Sequence, residues 1–192
     1  MYMTASLSSI GGPRSRTRKA ILDAAMDVLG TNANASLGDV AAAADVGRST
    51  LHRYFAERTD LMRALALHVH ELSKSAIERA EPNCGPPVEA LRRVVEGQLD
   101  LGPIASFVYC DSSIVRDDEL TAELDTGDEL IVEVLDRVAT AGTAGPPGWP
   151  RLVFWALLDA GHDAARQGAP RVQVVDAIMA SLTQGTINPN KS

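Results

Sequence analysis

The stretch from Ser36 to Phe55 constrains the fold of this chain more than any other. Ser36 opens Ser-Leu-Gly-Asp, where a serine suits a helix N-cap and an acid three residues on favours the positive end of the helix. A short alanine-rich helix is predicted from Leu37 to about Ala44, followed by a turn at Asp45-Val46-Gly47 and a second short helix from Arg48 to Phe55. Ahead of them, Ile21, Ala25, Val28 and Leu29 recur at i, i+4, i+7 and i+8, one face of a longer helix. Two short helices joined by a tight turn, behind a longer helix, form a helix-turn-helix.

The rest of the chain also reads as helix. Glu57 begins a long amphipathic stretch to about Ala80, with Leu61, Leu65, Val69, Leu72 and Ala76 on one face. At about 1.5 Å per residue it spans roughly 36 Å, enough to join two domains. Pro82 to Pro87 terminate it. Further stripes follow at Val88, Leu91, Val95 and Leu99, then at Leu120, Leu124, Ile131, Leu135 and Val138, with Gly102-Pro103 between them. Gly142 to Pro150 reads as a loop, and two last helices are predicted at about Arg151–Arg166 and Arg171–Thr183. No strand-like alternation competes, so the expected fold class is all-α.

Composition narrows the function classes. Hydrophobic residues make up 45% and aromatic residues only 4%, which suits helix-on-helix packing. No apolar run approaches the roughly 20 residues needed to cross a bilayer. The first eighteen residues lack the apolar core of a signal peptide, and two cysteines make no disulfide framework, so a cytoplasmic location is expected. The formal net charge of −7 is unevenly spread. Residues 1–60 carry seven basic and six acidic side chains, whereas the remainder carries eleven basic and nineteen acidic ones. Only the first part can approach phosphate comfortably.

In the second short helix, Leu51 and Phe55 lie i, i+4 apart and are expected to anchor it against Val40, Ala44 and the first helix. Arg48, Ser49, Thr50, His52 and Arg53 then face outward, as a helix entering the major groove requires. Arg48 suits guanine, Thr50 a base edge or a thymine methyl, and His52 an acceptor. Tyr54, Arg53 and Thr17 are better placed for phosphate, and Arg58, at the opening of the long helix, suits a phosphate clamp. The basic run Arg14-Ser15-Arg16-Thr17-Arg18-Lys19 reads either as an arm that orders on DNA or as a solubilising tail.

The run Ser-Leu-Gly-Asp-Val-Ala-Ala-Ala-Ala-Asp-Val-Gly-Arg-Ser-Thr-Leu-His-Arg-Tyr-Phe-Ala-Glu-Arg-Thr-Asp-Leu-Met-Arg-Ala-Leu, from Ser36 to Leu65, resembles the DNA-binding signature of the tetracycline-repressor (TetR) family. The likeness covers roughly residues 16–66. Relative to the family pattern, Asp45 stands where a glycine usually makes the turn, Gly47 replaces a capping serine, and His52 takes a position often held by tyrosine. The Ser/Thr/Gly-rich start, ending in Gly11-Gly12-Pro13, reads as part of a flexible tail over 1–14, with a second tail over 187–192; between them the resemblance implies a helix-turn-helix domain over 15–60 and a helical effector-binding and dimerisation domain over 61–186. It further implies a homodimer on palindromic double-stranded DNA, acting as a repressor released by a small-molecule effector. A helix-turn-helix regulator without such an effector, controlled by a protein partner, is the alternative.

The last two helices carry Leu152, Trp155, Ala156, Ala160, Gly161 and Ala164, then Val172, Val175, Ile178, Met179 and Leu182. This pattern fits either a four-helix dimer interface or monomer core, and the dimer is preferred because readers of palindromes need one. Phe107, Tyr109, Cys110, Trp155 and His162 are candidate pocket residues, since aromatic faces and polar tips orient ligands. The nine acids between Asp117 and Asp136 suit either a cationic effector or, better, a solvated helix face. Asp159 and His162 lie i, i+3 apart, and His68 and His70 point to different faces of their helix. Neither pair has the further ligands that a metal site needs. No phosphate-cradling loop, nucleophile elbow or cofactor motif is present, so no catalytic residue, metal or cofactor is expected.

Overall fold

A computed structural model describes residues 12–104, 108, 114, 116–139 and 145–186. Among them every regular element is a helix. In order these are α1 (Pro13–Thr31), α2 (Leu37–Ala43), α3 (Arg48–Tyr54), α4 (Arg58–Arg79), α5 (Pro87–Leu99), α6 (Asp118–Leu124), α7 (Glu129–Val138), α8 (Trp149–Arg166) and α9 (Arg171–Ala180). A π-helical turn, Ser181–Thr186, continues α9. The chain divides into two compact units, Met1–Leu65 and Ala66–Ser192, and α4 contains the join.

The first unit is built on α1. It starts earlier than the apolar stripe suggests, at Pro13, and takes in the whole basic run from Arg14 to Lys19. Proline at the first helical position has its φ already set, and the Ser15 and Arg16 amides donate to the Gly12 carbonyl. Lys19 pairs with Asp23 at 2.7 Å one turn on. The expected arm is therefore helix. Ile21, Leu22, Ala25 and Leu29 are buried on its inner face, as are Val40 and Ala41 of α2 and Leu51 of α3.

The second unit closes around one apolar cluster. Ile77 of α4, Leu91, Val94 and Val95 of α5, and Ile131, Val134 and Leu135 of α7 meet Phe154 and Leu158 of α8 there. Val174, Val175, Ile178 and Met179 of α9 complete it. Val88, counted in the predicted α5 stripe, is instead half exposed, and Ala90 and Val94 take the inner positions. Two arginines fasten the turn between α4 and α5. Arg93 donates to the carbonyls of Ala80, Glu81 and Cys84 at 2.8–2.9 Å, and Arg137 donates to those of Pro82 and Gly85. Inside the unit, the Ser73 hydroxyl of α4 donates to Gln98 Oε1 of α5 at 2.8 Å, and Gln98 Nε2 returns a bond to the Ser73 carbonyl at 3.1 Å. Buried amides are stable only when paired in this way.

At Gly161 the backbone of α8 packs directly against side chains of α9. A Cβ there would lie 2.9 Å from Ile178 Cδ1 and 3.0 Å from Val174 Cγ1. The stripe of the last two helices thus divides. Gly161, Val175, Ile178, Met179 and Leu182 are buried within the unit, because α9 spends that face on its own core. Leu152 and Val172 stay outside, 58% and 70% exposed, with Ala156, Ala160, Ala177 and Ala180 also exposed.

Candidate nucleic-acid interface and ligand cavity

The turn before α3 is specified residue by residue. Ser36 and Asp39 form a reciprocal capping box at α2: the Asp39 amide donates to Ser36 Oγ at 3.2 Å, and the Ser36 amide donates to Asp39 Oδ2 at 2.8 Å. The Ser36 amide, and after it the Ser36 hydroxyl donating to the same Oδ2 at 2.8 Å, hold the Asp39 carboxyl below its ordinary value. At the other end Asp45 takes a left-handed conformation, φ 52°. The Val46 amide reaches the Ala41 carbonyl and the Asp45 amide the Ala42 carbonyl, the two bonds of a Schellman cap. Gly47 then caps α3 in extended backbone without a side-chain bond.

This turn aims α3 as the sequence suggests. Leu51 and Phe55 are buried at 1% and 3% exposure, while Arg48, Ser49, His52 and Arg53 are exposed and Thr50 and Tyr54 are half-buried. Two side chains differ in detail from the sequence reading. Arg48 lies against the first turn of α2, so close that a Cβ on Gly38 would sit 3.2 Å from its Nε and Nη2. Its guanidinium must swing clear to read a guanine. His52 Nδ1 is 3.2 Å from the Ala56 carbonyl, which can only accept. Nδ1 therefore carries the proton, and in the neutral ring Nε2 presents a lone pair rather than a donor.

The flanking residues sort differently from expectation. Thr17 Oγ1 donates to the Pro13 carbonyl at 3.0 Å. Arg14 lies 5.9 Å from the Tyr54 ring centroid and Arg18 5.5 Å from that of Phe55, so the basic start of α1 is carried beside the end of α3. Arg58 turns inward. Its Nη1 donates to the Ala35 carbonyl at 2.6 Å and its Nη2 to the Ala33 carbonyl at 2.8 Å, which fastens the loop between α1 and α2.

The second unit holds a cavity of about 350 Å³. Its wall takes His70, Ser73, Lys74 and Ile77 from α4, Gln98 from α5, the segment Leu124–Asp128, and Arg151, Trp155, Leu158, Asp159 and His162 from α8. Asp128 is nearly buried, and its Oδ2 accepts from Arg151 Nε at 2.6 Å and from Trp155 Nε1 at 2.9 Å. Arg151 Nη2 also donates to Asp125 Oδ1 at 2.7 Å. These bonds, the one to Asp128 foremost, raise the Arg151 pKa. Burial pushes both His70 and His162 below the ordinary histidine value, which keeps the two rings neutral. Neither ring nitrogen of His162 makes a well-formed hydrogen bond among the described residues, although the Leu99 backbone lies near enough to offset part of the effect of burial.

Of the five pocket candidates, Trp155 and His162 are on this wall, while Phe107, Tyr109 and Cys110 lie outside the described residues. The sequence reading missed His70, Ser73, Lys74, Gln98, Asp125, Asp128 and Arg151. A signal was present in the i, i+3, i+4 spacing of His70, Ser73 and Lys74, three polar residues on one side of a helix. Among the described residues no cluster of three or more His, Cys, Asp or Glu could hold a metal. No helix among them is long and apolar enough to cross a membrane.

A capped helix-turn-helix beside a basic helix start, followed by a helical unit with its own cavity, defines a helix-turn-helix transcriptional regulator. Residues 21–65 match the family of bacterial regulatory proteins described as tetR. The HTH-type transcriptional repressor LfrR of Mycolicibacterium smegmatis is 65% identical over 176 residues, 92% of this chain and 93% of LfrR. The crystal structure of LfrR from Mycobacterium smegmatis in complex with proflavine superposes with a TM-score of 0.83 at 65% identity, covering 88% of this chain and 96% of that one. A second LfrR crystal structure superposes with a TM-score of 0.70, covering 86% of this chain and 97% of that one. The chain belongs to the TetR family. It is a DNA-binding transcriptional regulator and not an enzyme.

Proposed function

We propose that this protein is a homodimeric repressor that holds a palindromic operator and releases it when a planar aromatic cation enters the second unit. The cavity carries this reading, because a regulator answering only to a protein partner has no need of one. Among the described residues its wall bears three carboxylates (Asp125, Asp128, Asp159) against two cations (Lys74, Arg151), and burial favours the neutral form of its two histidines. One positive charge is wanted. Trp155 adds an aromatic surface, and the relative LfrR has been crystallised with proflavine.

On the DNA side, Arg48, Thr50 and His52 read base edges while Ser49, Arg53 and Tyr54 position the helix on phosphates. Arg14 and Arg18, on the first turns of α1, add to the phosphate contacts. Two copies join through the exposed faces of α8 and α9, where Leu152, Val172 and the small residues Ala156, Ala160, Ala177 and Ala180 let helices approach closely. Signal passes along α4, which contributes Leu61 to the first unit and His70, Ser73, Lys74 and Ile77 to the cavity wall. Gel-shift titration on an operator recovered by genomic selection of bound fragments tests the reading. Proflavine should weaken operator binding by about 5–150-fold, the usual range of allosteric coupling. Indifference to proflavine and to a broad library of aromatic cations would remove the effector from the account.

A further inference from the structure

Arg151 holds two carboxylates that differ in depth. Asp128 is inner, its side chain 11% exposed, whereas Asp125 is outer, its side chain 69% exposed. Both bonds to Asp128, from Arg151 and from Trp155, end on Oδ2. A carboxylate as buried as Asp128 needs a cation or strong donors beside it, and Arg151 is that cation.

We propose that Arg151 is a built-in occupant of the cavity's cation subsite, handed over when ligand binds. The positive group of the ligand takes Asp128, and the Arg151 guanidinium withdraws onto Asp125 alone. This deepens the effector reading given above and rests on it. One observation and one electrostatic argument support the exchange. Arg151 is itself 30% exposed and already bonded to the outer carboxylate, so its retreat needs rotation of a side chain and no new partner. A ligand cation placed at Asp128 beside an unmoved guanidinium would meet like charge at short range. With one ligand charge present the described wall is balanced, Lys74, Arg151 and the ligand facing Asp125, Asp128 and Asp159, so the exchange leaves no carboxylate uncompensated. Arg151 therefore sets the threshold for entry: a monocation that satisfies Asp128 better than a guanidinium is admitted, and a neutral planar molecule leaves the arginine where it is.

The loop that carries the two aspartates is braced independently of Arg151. The Lys74 stem lies across Gly127, where a Cβ would come within 2.7 Å of Lys74 Cδ, and Gly127 keeps a left-handed φ of 83°. The Gly127 amide donates to Glu129 Oε1 at 3.1 Å. Removing Arg151 should thus leave the loop in place.

The test compares wild type, R151Q and D125N by fluorescence titration with proflavine, a monocation, and with acridine, which is uncharged at neutral pH. R151Q should bind proflavine roughly tenfold more tightly, since Asp128 no longer has to be vacated, with acridine within about twofold of wild type. D125N, changed at an exposed position that disturbs no core, should bind proflavine several-fold more weakly because the displaced guanidinium has lost its outer station. If wild type binds proflavine while R151Q binds it no more tightly and D125N binds it equally well, the exchange is wrong and the effector reading stands. If no variant binds either dye, both are overturned.

Discussion

Arg58 is where the structure and the sequence pattern assign one side chain two different tasks, and a single substitution separates them. Replacing Arg58 with methionine keeps the length of the stem but removes both bonds to the loop between α1 and α2. A hydrogen bond to a charged donor contributes about 1.5–3 kcal/mol when sheltered. Here one bond is part-buried and the other exposed, so about 2 kcal/mol is expected for the pair. At roughly 2–4 °C per kcal/mol for a chain of this size, the melting temperature should fall by about 4–8 °C. DNA affinity should fall too, but through loosened geometry and not through lost phosphate charge. The discriminating assay is fluorescence anisotropy on duplex DNA across a salt series. Each phosphate contact contributes about 0.9 to the slope of log K against log salt. An Arg58 that fastens the loop leaves the slope of R58M equal to wild type, whereas a phosphate clamp in both protomers of a dimer would reduce it by roughly 2. An unchanged melting temperature with a shallower slope would refute the loop-fastening role.

Three further outcomes follow from local geometry. G161V should destabilise by about 1–3 kcal/mol, because its added carbons meet Ile178, Val174 and Leu99, and thermal unfolding by circular dichroism reads the loss. D45G should stabilise by about 0.5–1 kcal/mol by relieving the left-handed conformation at the turn, measured by urea unfolding. Since burial lowers the folded-state pKa of His70 and His162, the unfolded chain binds more protons below its ordinary histidine value of 6.5. Stability should therefore decline as pH falls through that value towards the folded-state pKa, and H162L should flatten the profile; a wild-type profile that rises towards acid would contradict the burial argument.

Much of the first unit was legible in the sequence because its information is local. A capping serine and its acid, an aspartate at a left-handed turn, and a Leu51–Phe55 pair one helical turn apart each act over a few residues. The start of α1 was misjudged because the basic run from Arg14 to Lys19 lacks apolar periodicity, although Pro13 at the first helical position was a visible signal. The second unit was legible only as a set of helices. Its cavity joins α4, α5, the Leu124–Asp128 segment and α8, with His70 and His162 lying 92 positions apart, and no period within one helix reports such a meeting. The acidic run illustrates this well. Glu119, Glu133 and Asp136 do form a solvated face, while Asp128, indistinguishable from them in sequence, is carried inward to meet Arg151 and Trp155.

The central claim is that the exposed side of α3, held by Leu51 and Phe55, reads a duplex. It is tested most directly by measuring the affinity of wild type, R48A and Y54F for a selected palindrome and for random duplex over a range of salt. Wild type should bind both in a salt-dependent manner and prefer the palindrome; R48A should lose about 1–3 kcal/mol of that preference, and Y54F should weaken both targets alike. Failure of wild type to bind either duplex at low salt, or equal losses on both targets from R48A and Y54F, would contradict it.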